Sequence, residues 1–191
     1  MSNAFHRGRI ELLLILLLCA VPAAAAYIAF YFWHPQQGTM NYGELLPPRP
    51  LPDAAMQLVD GRTFRMSDLR GKWVLLQVDS AACSQNCQQK LYYLRQVRLT
   101  QGKEMQRIER AWIIDDNGTP QQDLMKEFAG TWLIQGAGSA LLAALPAEDT
   151  AKDNVYVVDP QGNLMLRFPR NPDPRKMVKD ITRLLRVSQI G

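Results

Sequence analysis

Trp73-Val-Leu-Leu-Gln-Val-Asp-Ser-Ala-Ala-Cys83-Ser-Gln-Asn-Cys87 is the stretch that decides the fold. Its first six residues form a near-continuous apolar run, which is typical of a buried central strand. A helical pattern begins after Cys83, so the two cysteines lie at a strand-to-helix junction. A helix N-terminus carries partial positive charge, which favours a thiolate over a thiol. The stretch therefore predicts a buried strand that leads into a reactive pair of thiols.

The spacing of Cys83 and Cys87 places both sulfurs on nearly the same side of a first helical turn. Two thiols in that position can bond to each other or share a metal ion, and thiolates suit a soft metal ion. A disulfide with this spacing fits poorly within a regular helix, so Cys83 is expected just outside the helix or in a distorted first turn. We expect Cys83 to be the exposed attacking thiol and Cys87 the resolving thiol.

The N-terminal part of the chain is predicted to anchor it in a membrane. Ile10–Trp33 is almost wholly apolar and, at about 1.5 Å per residue, is long enough to span a hydrocarbon core of about 30 Å. Arg7 and Arg9 precede this segment, and the next basic residue is Arg49. The positive-inside rule therefore predicts residues 1–9 in the cytoplasm. The rest of the chain is expected in the periplasm, after a single pass through a bacterial inner membrane.

The apolar segment has two alternative interpretations. A cleaved signal peptide would use the small residues Ala23–Ala26, but the apolar run continues past them, which favours an uncleaved anchor. A lipid-modified Cys19 would be expected to follow a small residue, whereas Leu18 stands before it. Cys19 is better explained as a small apolar side chain within a membrane helix.

Charge and cysteine content argue against two classes of protein, nucleic-acid-binding proteins and scaffolds of several disulfides. The 191 residues include 22 basic and 18 acidic residues, for a net charge of +4. No basic stripe is interleaved with aromatic residues, so nucleic-acid binding is not expected. Only Cys83 and Cys87 lie outside the predicted anchor, which excludes a scaffold of several disulfides. An oxidising exterior favours a disulfide between these two cysteines unless a reductant acts on them.

Beyond the anchor, the proline-rich residues 34–53 predict an extended spacer, and residues 54–191 are long enough for one globular domain. Strand and helix patterns alternate along that domain. The predicted elements are a hairpin around Asp60-Gly61, a strand at 73–78, a helix at 84–99, a strand at 110–115, a helix at 121–128, a hairpin around Asp159-Pro-Gln-Gly162 and a helix at 173–187.

The helix at 84–99 has an apolar stripe of Leu91, Leu94 and Val97, which leaves Lys90 on the predicted solvent side. The order of the elements, with the cysteines at the first strand-to-helix junction, predicts an α/β fold. We expect a thioredoxin-like sandwich, in which helices flank a central mixed sheet, preceded by one transmembrane helix.

Several motifs resemble those of the SCO/SenC proteins, which help to assemble the copper centre of cytochrome c oxidase. Leu69-Arg-Gly-Lys-Trp-Val-Leu-Leu76 is similar to the family's strand leading into its cysteines, and the CxxxC spacing is more specific than the CxxC of thioredoxins. Ile114-Asp-Asp-Asn-Gly-Thr-Pro120 resembles the family's turn with Thr-Pro, and Tyr156-Val-Val-Asp-Pro-Gln-Gly162 resembles its late hairpin. The resemblance implies a thioredoxin-like domain outside the membrane.

The chain departs from the SCO/SenC pattern at the copper ligands. The family usually has a proline after each cysteine, where this chain has Ser84 and Gln88. The family's third copper ligand is a histidine shortly before the late hairpin, but residues 147–155 contain none. The only histidines are His6 and His34. Candidate substitutes were Asp149, Asp153, Met165 and His34, each better explained as a loop charge, a strand residue or an interfacial residue.

Other chemistry near the thiols has weaker support. Asp79 and Ser80 could carry or relay a proton, but both residue types also favour a turn after a strand. Asp115 and Asp116 are likewise expected to be turn residues. A peroxiredoxin would have a threonine and a proline ahead of its attacking cysteine, and residues 78–82 contain neither.

The resulting functional hypothesis is a periplasmic thiol–disulfide protein in which Cys83 and Cys87 are the catalytic residues. The family resemblance implies a respiratory oxidase subunit or another assembly protein as its partner. The first alternative is a Cu(I) metallochaperone in which Cys83 and Cys87 bind copper. The second is a scaffold that keeps the disulfide as a structural bridge.

Overall fold

The computed structural model describes residues 2–32 and 41–188, which belong to two compact units, 1–40 and 41–191. The first unit contains the helix α1, Ser2–Phe32. Its segment Leu14–Tyr31 has a mean hydropathy of 2.2, and none of it is buried. Within the described ranges this is the one helix long and apolar enough to cross a membrane. Trp33, the predicted end of the anchor, lies outside the described residues.

The second unit is built on a mixed sheet, as the sequence predicted. The strands are β1 (Glu44–Pro50), β2 (Met56–Leu58), β3 (Thr63–Phe64), β4 (Trp73–Asp79), β5 (Ile108–Ile114), β6 (Thr131–Gln135), β7 (Val155–Val158) and β8 (Asn163–Phe168). Their order across the sheet is β1-β8-β7-β4-β5-β6-β2-β3. The central strands β4, β5 and β6 run parallel, and the other pairings are antiparallel.

Four helices accompany the sheet: α2 (Gln85–Leu99), α3 (Gln122–Glu127), α4 (Ala140–Ala143) and α5 (Pro174–Val187). Short 3-10 turns occupy Met66–Leu69, Gly102–Arg107 and Ala151–Asp153. Asp173 caps α5 by accepting a hydrogen bond from the Arg175 amide, and proline at the first helical position needs no amide partner. The thioredoxin-like layering of helices on a mixed sheet is therefore confirmed.

Strand β4 is the centre of the sheet, and all seven of its residues are buried. It pairs with β5 from Trp73↔Ile108 to Asp79↔Ile114, and with β7 on its other side. Because side chains alternate along a strand, its two faces enter different layers. Val74, Leu76 and Val78 join the cluster that includes Ala111 and Ile113, while Trp73 and Leu75 pack with residues of α2 and α5.

Part of the stretch predicted as a spacer belongs to the sheet. Strand β1 pairs with β8 in antiparallel register, with Glu44 opposite Arg167 and an ion pair between their side chains. Its prolines are tolerated because a proline can occupy an edge strand, where the missing amide leaves no partner unsatisfied. Gly43 connects the start of this segment to α5, since its amide donates to the buried Asp180 carboxylate at 2.8 Å.

Strand β6 and helix α4 were not among the elements predicted from the sequence. Strand β6 continues the parallel core, with Arg110 opposite Thr131 and Ile114 opposite Gln135. It was missed because its residues alternate only weakly in polarity, and all but Ile134 are half-buried. Helix α4 spans four residues, too few for a helical period to show in the sequence.

Candidate functional site

The cysteine pair lies where β4 passes into α2. Strand β4 ends at Asp79, Ser84 occupies the N-cap position without a side-chain capping bond, and α2 begins at Gln85. Cys83 thus lies just outside the helix, which is one of the two positions expected from the spacing. Its backbone has φ of 39°, in the left-handed region that residues with a side chain rarely adopt. The Cys83 amide donates to Ser80 O at 3.0 Å, which closes the turn between strand and helix.

Cys83 and Cys87 form a disulfide with their Cα atoms 5.1 Å apart. Cys83 is 1% exposed and Cys87 0% exposed, so the prediction of an exposed Cys83 is wrong for the disulfide form. The reason is that the turn directs both side chains into an apolar cluster. The members of that cluster include Ala81, Leu91, Trp112, Ile114 and Phe128.

The turn that carries Cys83 packs against the loop after β5. Asp116 accepts hydrogen bonds from the Ala81 amide at 3.2 Å and from the Gly118 amide at 2.9 Å. A Cβ at Gly118 would lie 2.7 Å from the Ala81 Cβ, so the approach of the two loops requires glycine there. Asp116 is therefore a turn residue, as expected, and it also fixes the backbone next to the cysteines.

A buried ion pair lies on the face of β4 that α2 covers. Lys90 Nζ is 2.9 Å from Asp79 Oδ2, and the two side chains are 2% and 11% exposed. Lys90 also donates to Val78 O and to Lys152 O, so all three of its protons have acceptors. The prediction that Lys90 faces solvent is wrong, because the carboxylate at the end of β4 offers it a buried partner. Asp79, which the sequence offered as a proton carrier, is held in this ion pair.

The stretch that lacks the family's histidine is connected to the same edge of the sheet. Lys152, in the 3-10 turn before β7, accepts from Lys90 through its carbonyl and pairs with Asp115 Oδ2 at 2.8 Å. The hydrogen bond to Asp115 raises the pKa of Lys152, with burial acting in the opposite direction. Two salt bridges and the hydrogen bond from Lys90 to Lys152 O thus connect α2 and the 3-10 turn before β7 to the ends of β4 and β5.

Gln77 is a site residue that the sequence did not single out. It lies in β4, is 0% exposed, and its Nε2 is 3.7 Å from Cys87 Sγ. Its Oε1 is buried and has no hydrogen-bond partner. The available signal was a single amide within the apolar run Trp73–Val78.

The candidate third ligands are not brought to the sulfurs. Asp153 forms an ion pair with Arg170, and Met165 packs against the separate cluster of Trp73 and its neighbours. Asp149 is exposed, and His34 lies outside the described residues. Within residues 2–32 and 41–188, no group of three or more His, Cys, Asp or Glu could hold a metal ion. The donors that remain are the two sulfurs, a set that fits two-coordinate Cu(I) and lacks the nitrogen or oxygen ligands that Cu(II) prefers.

Comparison with known proteins agrees with the fold. Residues 73–188 match the family model described as transmembrane-like, thioredoxin-like, C-terminal domain. Yeast Sco1 with copper bound superimposes with a TM-score of 0.64 at 16% identity, covering 75% of this chain and 96% of that one. Arabidopsis thaliana ScoI with copper bound gives 0.59 at 17% identity, covering 73% and 100%.

A third similar structure comes from a thiol-disulfide oxidoreductase. The thioredoxin domain of a thiol-disulfide oxidoreductase from Bacteroides vulgatus gives a TM-score of 0.54 at 16% identity, covering 74% of this chain and 99% of that one. No match was found among curated proteins. At these identities the structural similarity establishes the fold, and the resemblance to the SCO/SenC proteins is confirmed at that level.

Proposed function

The chain belongs to the transmembrane-like, thioredoxin-like C-terminal domain family, and from this membership we propose that it is a membrane-anchored thiol–disulfide protein. The observation that carries the proposal is the backbone of Cys83. Its left-handed conformation costs about 1–3 kcal/mol for a residue with a side chain, and such conformations cluster at functional sites. We infer that opening the bridge lets Cys83 leave this conformation, so that the strain favours exchange.

The proposed reaction begins with both thiols reduced. The Cys83 thiolate attacks one sulfur of a partner disulfide, forming a mixed disulfide and releasing one partner thiolate, which takes up a proton. The Cys87 thiolate then attacks Cys83 Sγ, which restores the Cys83–Cys87 bond and releases the second partner thiol. Two electrons pass to the partner, and a second dithiol protein must return them. Because both sulfurs are buried in the disulfide form, the turn at 80–84 must open during exchange.

The charges around α1 support a periplasmic location for the reaction. Arg7 and Arg9 precede the apolar segment, which supports a cytoplasmic N-terminus and a periplasmic domain. An oxidising periplasm would keep the pair as the disulfide until a donor reduces it. By analogy of fold, the resemblance to SCO/SenC proteins favours a partner engaged in assembly of a respiratory oxidase in a bacterial inner membrane.

A redox titration tests the proposal. The full-length chain with Cys19→Ser, which removes the remaining free thiol, would be equilibrated in detergent with glutathione buffers, and its free thiols would be alkylated and counted by mass. We expect a two-electron transition between about −180 and −270 mV, the range of working thiol–disulfide proteins. A bridge that stays oxidised below about −300 mV would contradict the proposal and support the scaffold alternative.

Copper delivery is the second candidate, favoured by two adjacent sulfurs in an apolar, buried setting. Cu(I) as cargo requires only two thiolates, and the reduced pair supplies them. The test is a titration of the reduced full-length chain, carrying Cys19→Ser, with Cu(I) against a competing chelator. Tight one-to-one binding that is lost in both Cys83→Ser and Cys87→Ser would establish this function. Binding no tighter than in the single-thiol variants would exclude it.

A further inference from the structure

Gln77 is a polar side chain in an apolar setting. In the sheet it lies beside Trp112 of β5 and Val155 of β7, both at most 1% exposed, and α2 covers its face of the strand. Burying an amide is unfavourable unless its donors and acceptors are used, and an aliphatic side chain would fill this space without that cost. The fold itself therefore gives no reason for a glutamine at this position.

The Gln77 amide contacts the disulfide. Nε2 lies 3.7 Å from Cys87 Sγ, and this is the one hydrogen bond that the side chain makes within the described part of the chain. Oε1 is enclosed and unpartnered. Cys83 Sγ has no corresponding donor among the described residues, since the nearby Gln88 amide donates to the Cys83 carbonyl instead. The bridge is thus asymmetric: a buried N–H faces one of its two sulfurs.

We infer that Gln77 directs exchange to Cys83 by stabilising Cys87 as the leaving sulfur, an inference that rests on the proposed thiol–disulfide function. When an external thiolate attacks Cys83 Sγ, a bond forms between those two sulfurs and the Cys83–Cys87 bond breaks. The bonding electron pair leaves on Cys87 Sγ, next to the Gln77 N–H. A fixed donor in a site without water stabilises such developing charge more effectively than it stabilises the neutral disulfide.

An amide suits this position because it serves both later states of Cys87. Its N–H can donate to the thiolate, and after rotation its oxygen can accept from the protonated thiol, which gives Oε1 a partner. A carboxylate at the same place would repel the charge that develops on sulfur. The nearest charged pair on this face, Asp79 with Lys90, is internally compensated and adds little net charge.

The test compares Gln77→Met and Gln77→Glu with the wild type in the full-length Cys19→Ser background. Methionine keeps the volume and removes the donor, and glutamate keeps the shape and adds charge. Gln57→Met is the control, because Gln57 is also a strand glutamine, in β2, but its side chain is exposed. Gln77→Asn, which withdraws the amide from the sulfur by one methylene, replaces the methionine variant if that variant does not fold.

Two quantities would be measured under native conditions. The first is the second-order rate of bridge opening by dithiothreitol, and the second is the cysteine that carries the first mixed disulfide with glutathione after acid quench. We expect Gln77→Met to react about tenfold more slowly, Gln77→Glu more slowly still, and both to lose the preference for Cys83, while Gln57→Met matches the wild type.

The outcomes separate the two proposals. If the wild type opens readily at Cys83 and Gln77→Met opens at the same rate with the same preference, the role of Gln77 is overturned while the proposed function stands. If the wild-type bridge does not open under native conditions, the proposed function fails, and the role of Gln77 fails with it.

Discussion

Cys87→Ser is expected to convert the protein into a trap that holds its partner on Cys83. Cys83 lies in the turn before α2, whereas Cys87 lies in the first turn of the helix against Gln77. Without the resolving thiol, a mixed disulfide on Cys83 has no internal route to release. We expect Cys87→Ser to accumulate a glutathione adduct to at least about ten times the level in Cys83→Ser, because exchange depends on the access of the attacking sulfur.

Mass spectrometry of the full-length variants after incubation with oxidised glutathione measures this difference. Cys19→Ser in every variant removes the competing thiol, and the wild-type pair should show no lasting adduct because Cys87 resolves it. Equal adduct levels on Cys83→Ser and Cys87→Ser would contradict the assignment of Cys83 as the attacking residue.

Among the variants proposed, Lys90→Met is expected to cause the largest decrease in the free energy of unfolding. The substitution removes the cation from a pair in which both side chains are almost fully buried and leaves the Asp79 carboxylate without it. Breaking such a pair from one side costs about 3–5 kcal/mol. The change also removes the hydrogen bond to Lys152 O, which connects α2 to the turn before β7. Chemical denaturation of the full-length chain in detergent would measure the loss.

Two controls make the Lys90 experiment specific. Lys126→Met breaks an exposed helix pair with Asp123, where the side chains are 68% and 97% exposed, and it should change stability by less than about 0.5 kcal/mol. The double variant Lys90→Met with Asp79→Leu removes both charges and should recover most of the loss. If Lys90→Met is as mild as Lys126→Met, the buried pair does not support the site.

The sequence was sufficient for the centre of the fold because the signals there are local and strong. The apolar run of β4, the helix after the cysteines and the hairpin at Asp159–Gly162 each follow from patterns within about ten residues. A position of Cys83 just outside the helix or in a distorted first turn was likewise predictable, since only three residues separate the two cysteines. The same patterns made the mixed sheet the expected arrangement.

The features that the sequence did not predict depend on contacts between distant segments. Lys90 has the polarity of a surface residue, and only the position of Asp79 at the end of β4 explains its burial. The prolines of β1 indicate a spacer until β8 is available as an edge to pair with. Burial of Cys83 depends on Trp112 and Phe128, which belong to other elements. Side-chain patterns along one segment do not contain this information.

The most direct test of the account is whether the buried disulfide opens while the protein remains folded. The rate of bridge reduction by dithiothreitol would be measured in the full-length Cys19→Ser chain at increasing reductant concentration, alongside the rate of global unfolding. The account predicts a reduction rate that rises in proportion to reductant and far exceeds the unfolding rate, because only the turn at 80–84 must move. A reduction rate that levels off at the rate of global unfolding would contradict it and identify the bridge as structural.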